Sequence, residues 1–229
     1  MSDDSTGNEA ETSGNGPIGL TEAYAVQSPD DNRALYAKWA DTYESEFAVP
    51  RSYTGPRTAA EVLCEGLSGS GPVLDAGCGT GLAGEHLRTL GVAVVDGFDI
   101  SPEMLAKARA KTAADGSPVY RKTVEVDLTG PVDIADDTYA GIVSIGTFTH
   151  GHVGPEAIEE LLRIACPGAR GVIGVHSSIF ESDGFKDRFE RYEAEGVIHG
   201  LEVQFRGAYE DADGSDPNQM VYMAVFTVV

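Results

Sequence analysis

Apolar and polar positions follow two different periods along this chain of 229 residues. From residue 72 onward, short apolar runs of strand length are separated by stretches whose apolar residues recur at helical spacing. The runs at 73–75, 92–100, 119–126, 139–145 and 171–175 read as strands. Helices are expected between them, the one before the fifth strand at 155–165, with Cys166-Pro167-Gly168 as the link into that strand. Parallel pairing follows, because a crossover helix returns each strand to the same edge of the sheet. A helix over 187–194 comes next, and two late strands, 201–209 and 221–228, flank Asp211-Ala212-Asp213-Gly214 and read as an antiparallel hairpin. The predicted fold is α/β: a doubly wound, mostly parallel seven-stranded sheet with an antiparallel final hairpin.

The first part of the chain is patterned differently. Residues 1–17 are rich in Ser, Gly, Asn and acids and have no apolar period, so a disordered acidic tail is expected. Two helices follow, at 31–47 and 56–67. In the first, Leu35, Tyr36, Trp39 and Tyr43 fall at helical spacing and make one aromatic stripe. Such a stripe is either core or a lid that folds over a ligand. As a lid it brings Tyr43, Arg51 and Tyr53 to the wall of an acceptor pocket. The expected division is therefore a tail at 1–17, a helical lid or cap at 18–70, and an α/β core at 71–229.

Chemistry concentrates at the first strand. Val73-Leu74-Asp75-Ala76-Gly77-Cys78-Gly79-Thr80-Gly81 is an apolar strand that ends in a carboxylate and runs into three alternating glycines. Glycines there let a ligand approach bare backbone. Gly79-Thr80-Gly81-Leu82-Ala83-Gly84 also matches the G-x-G-x-x-G dinucleotide fingerprint. In that fingerprint, however, the first glycine follows the strand directly, whereas here Gly77 already starts the turn. A carboxylate at Asp75 would repel a pyrophosphate and attract the ammonium of a cofactor such as S-adenosylmethionine. Asp99 closes the second strand 24 residues after Asp75, where an acid can accept both ribose hydroxyls. Ser101 and Pro102 then start a helix as N-cap and first residue, which puts Ile100 and Met104 beside an adenine ring. Helix core is the other role open to Met104. Asp127, with Leu128, ends the third strand and can accept from the adenine amine, unless it is a solvated loop acid.

With these residues in place, the chain resembles the class I S-adenosylmethionine-dependent methyltransferases over roughly residues 33–229. The segment from Asp75 to Gly81 corresponds to the first motif of that superfamily, Asp99 to its ribose-binding acid, Asp127 to its adenine-side acid, and Ser144-Ile145-Gly146-Thr147 to the end of its fourth strand. Tyr36-x-x-Trp39-Ala40-x-x-Tyr43 is similar to the methyltransferase group named after the Williams-Beuren syndrome region. The resemblance implies S-adenosylmethionine as cofactor, held by Trp39, Tyr43, Asp75, Gly77, Cys78, Gly79, Asp99, Ile100, Met104, Asp127, Leu128, Gly146 and Thr147. It also implies the antiparallel ending of the sheet.

Composition narrows the partners. Lys and Arg number 16 against 37 Asp and Glu, a formal net charge of −21, without any basic run. Phosphate backbones and anionic membranes require clustered cations, so no nucleic-acid or membrane partner is expected. Such acidity also suits solubility at high salt. The three cysteines, Cys64, Cys78 and Cys166, are far apart and suggest neither disulfides nor zinc. No signal-peptide pattern and no apolar run of membrane length occur, so a cytoplasmic monomer or homodimer is expected.

In an open parallel sheet, ligands sit beyond the carboxyl ends of the strands. Gly146-Thr147-Phe148-Thr149-His150-Gly151-His152 leaves the fourth strand at that edge. His150 and His152 are the candidate general bases, since imidazole titrates near neutral pH; loop hydrogen bonding is their alternative role, and a metal site would lack neighbouring ligands. His176, after the fifth strand, joins Arg51 and Tyr53 as a candidate acceptor-site residue. The expected function is methyl transfer from S-adenosylmethionine to an O, N or S atom of a small molecule. A protein side-chain methyltransferase, a non-catalytic S-adenosylmethionine-binding module and a nicotinamide oxidoreductase are the alternatives.

Overall fold

The computed structural model describes residues 22–23, 26, 28–151 and 153–229; the expected tail at 1–17 and His152 lie outside them. Seven strands form one sheet, in the order β3-β2-β1-β4-β5-β7-β6. The strands are β1 (Val73–Ala76), β2 (Val95–Asp99), β3 (Lys122–Glu125), β4 (Tyr139–Phe148), β5 (Ala165–His176), β6 (Ile198–Gly207) and β7 (Met220–Val228). The first five pair in parallel, and β7 inserts antiparallel between β5 and β6. This is the predicted α/β architecture, hairpin included.

Six α-helices accompany the sheet among the described residues: α1 (Pro29–Trp39), α2 (Gly55–Glu65), α3 (Leu82–Thr89), α4 (Pro102–Ala110), α5 (Ala157–Ile164) and α6 (Phe185–Ala194). Both faces of the sheet are covered. Leu74 and Ala76 of β1 join Phe98, Ile158 and Phe185 in one apolar cluster, while the intervening side of the strand sends Val73 into a second cluster with Leu63, Leu87 and Leu105. That split follows from the two-residue period of a strand buried on both sides.

Several boundaries differ from the sequence expectation. The helix expected at 31–47 ends at Trp39, and after a turn the chain winds more widely as a π-helix, Tyr43–Ala48. Ser28 starts α1, its hydroxyl accepting from the Asp31 amide. Strand β5 begins at Ala165, so the Cys166-Pro167-Gly168 link lies within it; the residues sit on the strand's exposed first turn of pairing with β4, where an irregular register accommodates Pro and a left-handed Gly168. Helix α2 packs on α3, β4 and β5 as a covering helix of the sheet, with Pro56 of its first turn at the carboxyl-edge cleft. The start of the helix is stitched down by the amides of Thr54 and Gly55, which both donate to the Ala208 carbonyl beyond β6.

Candidate active site

Asp75 and Asp99 form the electrostatic centre of the carboxyl edge. Asp75 is buried at the end of β1; its Oδ2 accepts from the Tyr120 hydroxyl at 2.7 Å and the Gly84 amide at 3.1 Å. Asp99 ends β2, and its two oxygens accept from the amides of Gly79 at 2.8 Å and Ser101 at 2.9 Å. Among the described residues neither carboxylate makes an ion pair. Burial pushes Asp75 up to about 7 and Asp99 up to about 6, against the hydrogen bonds that pull both down. Two such acids without a counter-charge form a site that favours a cation.

The glycines between them serve distinct purposes. Gly77 has φ +73°, and a Cβ there would lie 1.9 Å from Thr147 Oγ1, so the turn closes against the end of β4. Gly79 has φ +53° with open space where a side chain would stand, so it is bare backbone facing the cleft. At Gly84, by contrast, a Cβ would lie 2.3 Å from the Tyr120 hydroxyl oxygen. The last glycine of the G-x-G-x-x-G match thus makes room for the tyrosine that holds Asp75. Cys78 is buried beside both acids, which together with desolvation hold its thiol protonated.

A cleft of about 910 Å³ opens over this turn. Asp75, Gly77, Cys78, Gly79 and Asp99 line it, as do Ile100, Met104, Asp127, Leu128, Gly146 and Thr147. Asp127 Oδ1 accepts from the amide and hydroxyl of Thr129, and Oδ2 lies 3.7 Å from Arg33 of α1. Two buried polar atoms on the cleft wall have no hydrogen-bond partner among the described residues, Asn32 Oδ1 and Thr80 Oγ1. Carboxylates short of a cation, exposed backbone and polar atoms short of partners match a ligand that combines ammonium, sulfonium and ribose groups. S-adenosylmethionine fits the residues present.

The aromatic stripe roofs the cleft and does more than either expected role alone. Trp39 is buried, stacked on Tyr36 at 5.8 Å and edge-on to Tyr43 and Phe47 at 5.0 Å each. Met104 packs into the same cluster, so it is both helix core and cleft wall. Behind the cleft lies a second chamber of about 540 Å³, and Tyr36, Tyr43, Tyr53 and Gly146 line both. Trp39, expected at the cofactor, lines the second chamber. Tyr53 lines both cavities, its hydroxyl 3.0 Å from the position a Gly146 Cβ would take. Arg51 does not reach either cavity; it is exposed, with its guanidinium 5.2 Å from the Phe47 ring centre.

His176, buried at the end of β5, lines the second chamber. Its Nδ1 lies 2.7 Å from Ser178 Oγ, which is 2.8 Å from His150 Nε2. The two imidazoles stand edge to face at 5.0 Å. Desolvation lowers His176, and the neighbouring His150 lowers it further. The structure thus brings His150 to the chamber only by way of Ser178 and His176. Among the described residues no cluster of metal-binding side chains occurs, and no helix is long and apolar enough to cross a membrane.

Sequence reasoning missed Tyr120, Asn32, Thr80, Ser178 and Tyr209. Tyr120 sits just before β3 in a stretch read as plain strand, and Tyr209, which lines the second chamber, is brought there by its bridge to Tyr53. Neither position carries a local signal in the sequence. The N-cap position of Ser28 just before Asn32 could have drawn attention to that turn of α1.

Residues 73–168 match the family described as methyltransferase domain. The chain is 29% identical over 175 residues to methyltransferase-like protein 27 of Homo sapiens, which covers 73% of this chain and 68% of that protein. It is 34% identical over 177 residues to the ubiquinone/menaquinone biosynthesis C-methyltransferase UbiE of Geobacter sulfurreducens, which covers 73% of this chain and 67% of that one. It thus spans about two thirds of the length of these relatives. In fold it is similar to a TehB-like S-adenosylmethionine-dependent methyltransferase of Corynebacterium glutamicum, with TM-score 0.56 and 23% identity over 86% of this chain and 99% of that one.

Proposed function

The chain belongs to the class I S-adenosylmethionine-dependent methyltransferases, and from that premise we propose that it methylates a small molecule held in the aromatic chamber. The observation that carries this reading is the junction of the two cavities at Tyr36, Tyr43, Tyr53 and Gly146. One side is acidic and glycine-lined; the other is aromatic. When bound, S-adenosylmethionine supplies an electrophilic methyl on a cationic sulfur.

In this proposal, Asp99 and Asp127 orient the nucleoside and Asp75 faces the ammonium, with Asn32 and Thr80 as further polar contacts. Gly79 gives the ligand its backbone, and the aromatic roof excludes water from the reacting atoms. Gly146 belongs to the irregular end of β4 and carries φ +81°, which brings its backbone against the Tyr53 hydroxyl at the junction. In the same proposal His176, which lines the second chamber, is the base for an acceptor that starts protonated, with His150 as its neighbour.

A small acceptor is supported by the aromatic walls that α1 and the π-helical turn give the second chamber. The closer likeness to the Williams-Beuren group, resting on Tyr36, Trp39 and Tyr43, is part of the same proposal, as is a cytoplasmic location, which three free cysteines suit. Calorimetry with S-adenosylmethionine and with nicotinamide cofactors, followed by a metabolite screen for S-adenosylhomocysteine release, tests the reading. Binding of the first cofactor with turnover of a metabolite is the expected result; turnover only of a protein substrate would overturn the small-acceptor assignment.

A further inference from the structure

Resting on the methyltransferase reading above, we propose that Asn32 of α1 reads the base of the cofactor: its side-chain oxygen accepts from the 6-amino group of the nucleoside, opposite Asp127, and so ties the roof to the ligand. The first observation is an unused oxygen. Asn32 Oδ1 is buried without a hydrogen-bond partner among the described residues, on a side chain that lines the cleft. Leaving such an oxygen unpaired is costly. The helix itself does not need it. Ser28 caps α1, the Asn32 amide donates to the Ser28 carbonyl at 3.0 Å, and Asn is a poorer helix former than Ala or Leu.

The position of the residue decides which end of the ligand it meets. Pro29, Asn32 and Tyr36 lie at helical spacing and form the face of α1 that lines the cleft. Next to Asn32, Arg33 pairs with Asp30 at 3.0 Å and approaches Asp127 Oδ2 at 3.7 Å, so this turn of the helix stands over the end of β3. Asp75, the acid that faces the ammonium in the proposed function, ends β1, two strands away.

Donors and acceptors match at this end. Asp127 Oδ1 is occupied by the amide and hydroxyl of Thr129, which leaves Oδ2 for a ligand. Together with Asn32 Oδ1 it offers two acceptor oxygens, one from the sheet and one from the roof. A 6-amino group carries two N–H donors. A 6-oxo group would instead set a third acceptor against these two, and Arg33, which is held by two acids, does not line the cleft to relieve it. The contact also acts on the roof. Helix α1 is joined to the core by its exposed ion pairs and by the cluster of Trp39 with Met104, and a base bound to Asn32 adds a tie at the other end of the helix. Because S-adenosylmethionine and S-adenosylhomocysteine carry the same base, substrate and product hold the roof alike, and the nucleoside alone suffices.

The test compares S-adenosylhomocysteine with S-inosylhomocysteine, its 6-oxo counterpart, by calorimetry on the full chain. Wild type should prefer the adenosyl compound by about 100-fold or more. Asn32→Ala should bind that compound about 5- to 30-fold more weakly, with affinity for the inosyl compound held within about twofold. Its melting temperature without ligand should not fall, since an unpaired buried oxygen has been removed. Asn32→Asp, which keeps an oxygen at the same place, should retain the preference. In the wild type, saturating adenosine should slow hydrogen exchange over Pro29–Trp39 and saturating inosine should not. An equal loss for both ligands in Asn32→Ala, a lower melting temperature of that variant without ligand, which would mark Asn32 as structural, or equal protection by the two nucleosides would overturn the proposal. Failure of the wild type to bind either homocysteine compound would instead strike the methyltransferase reading itself.

Discussion

The Tyr120 hydroxyl donates to Asp75 Oδ2 over 2.7 Å, linking a residue ahead of β3 to the acid at the end of β1. The bond is buried and favours the ionised acid, the form that attracts a cation. Tyr120→Phe keeps the ring that fills the space over Gly84 and Gly97, so the fold should persist. We expect the variant to bind S-adenosylmethionine about 1 kcal/mol more weakly at neutral pH. Isothermal calorimetry checks it, and unchanged affinity would remove Asp75 from the cation site.

The raised acids make cofactor binding depend on pH. Without ligand, Asp75 titrates near 7 and Asp99 near 6, both above the usual carboxylate value, so both retain protons at mildly acid pH. A cationic ligand binds the ionised forms. Affinity should therefore rise, by about 30- to 100-fold, between pH 5.5 and 8, with proton uptake by buffer on binding near pH 6.5. The sign for folding is opposite: with native pKa values above the unfolded ones, the ligand-free protein loses stability as pH rises from about 4 to about 7. Calorimetry in buffers of different ionisation enthalpy, and melting curves across this range, measure the two trends.

Asp99 has a structural duty besides the ribose. Because its oxygens hold the amides of Gly79 and Ser101, Asp99→Ala should weaken S-adenosylmethionine by about 1.5–3 kcal/mol and also lower the melting temperature. Asp99→Asn retains one acceptor oxygen but sets its NH₂ against the other amide, so it should recover only part of the stability and not the affinity. Thermal melts paired with binding titrations separate the two effects; wild-type affinity in Asp99→Ala would remove the ribose assignment.

The roof over the cleft is held to the core by contacts that ligand should reinforce. Asp41 pairs with Lys107 at 2.6 Å, Glu44 with Lys111 at 3.0 Å, and Arg33 approaches Asp127. Exposed pairs of this kind contribute only about 0–1 kcal/mol each, so the segment should open more readily than the sheet. Hydrogen exchange over residues 29–53 is expected to slow on cofactor binding, and Lys107→Ala to speed it in the ligand-free state. Identical exchange with and without cofactor would leave the aromatic stripe as core alone.

The order of strands and the acids at their ends were legible in the chain because both depend on local rules. A two-residue apolar period, a crossover-length spacer and a glycine turn leave their mark within a few residues, so Asp75, Asp99 and Asp127 could be placed on one edge before any contact was known. The hairpin at 201–228 was legible as two strands, but its insertion of β7 between β5 and β6 is a matter of pairing partners. The partners of the acids were not legible. Tyr120 lies 45 residues from Asp75, and nothing in its neighbours marks it, since a side chain is recruited by the space that Gly84 leaves in another element. Trp39 shows the same limit: helical spacing put it on an aromatic stripe, but the end of α1 at Trp39 and the wider turn after it decided that it faces the second chamber. His150, His176 and Ser178 are joined only when the ends of β4 and β5 come side by side. Periodicity and turn chemistry are properties of the chain, whereas cavities, buried charges and proton paths arise where distant segments exclude water together.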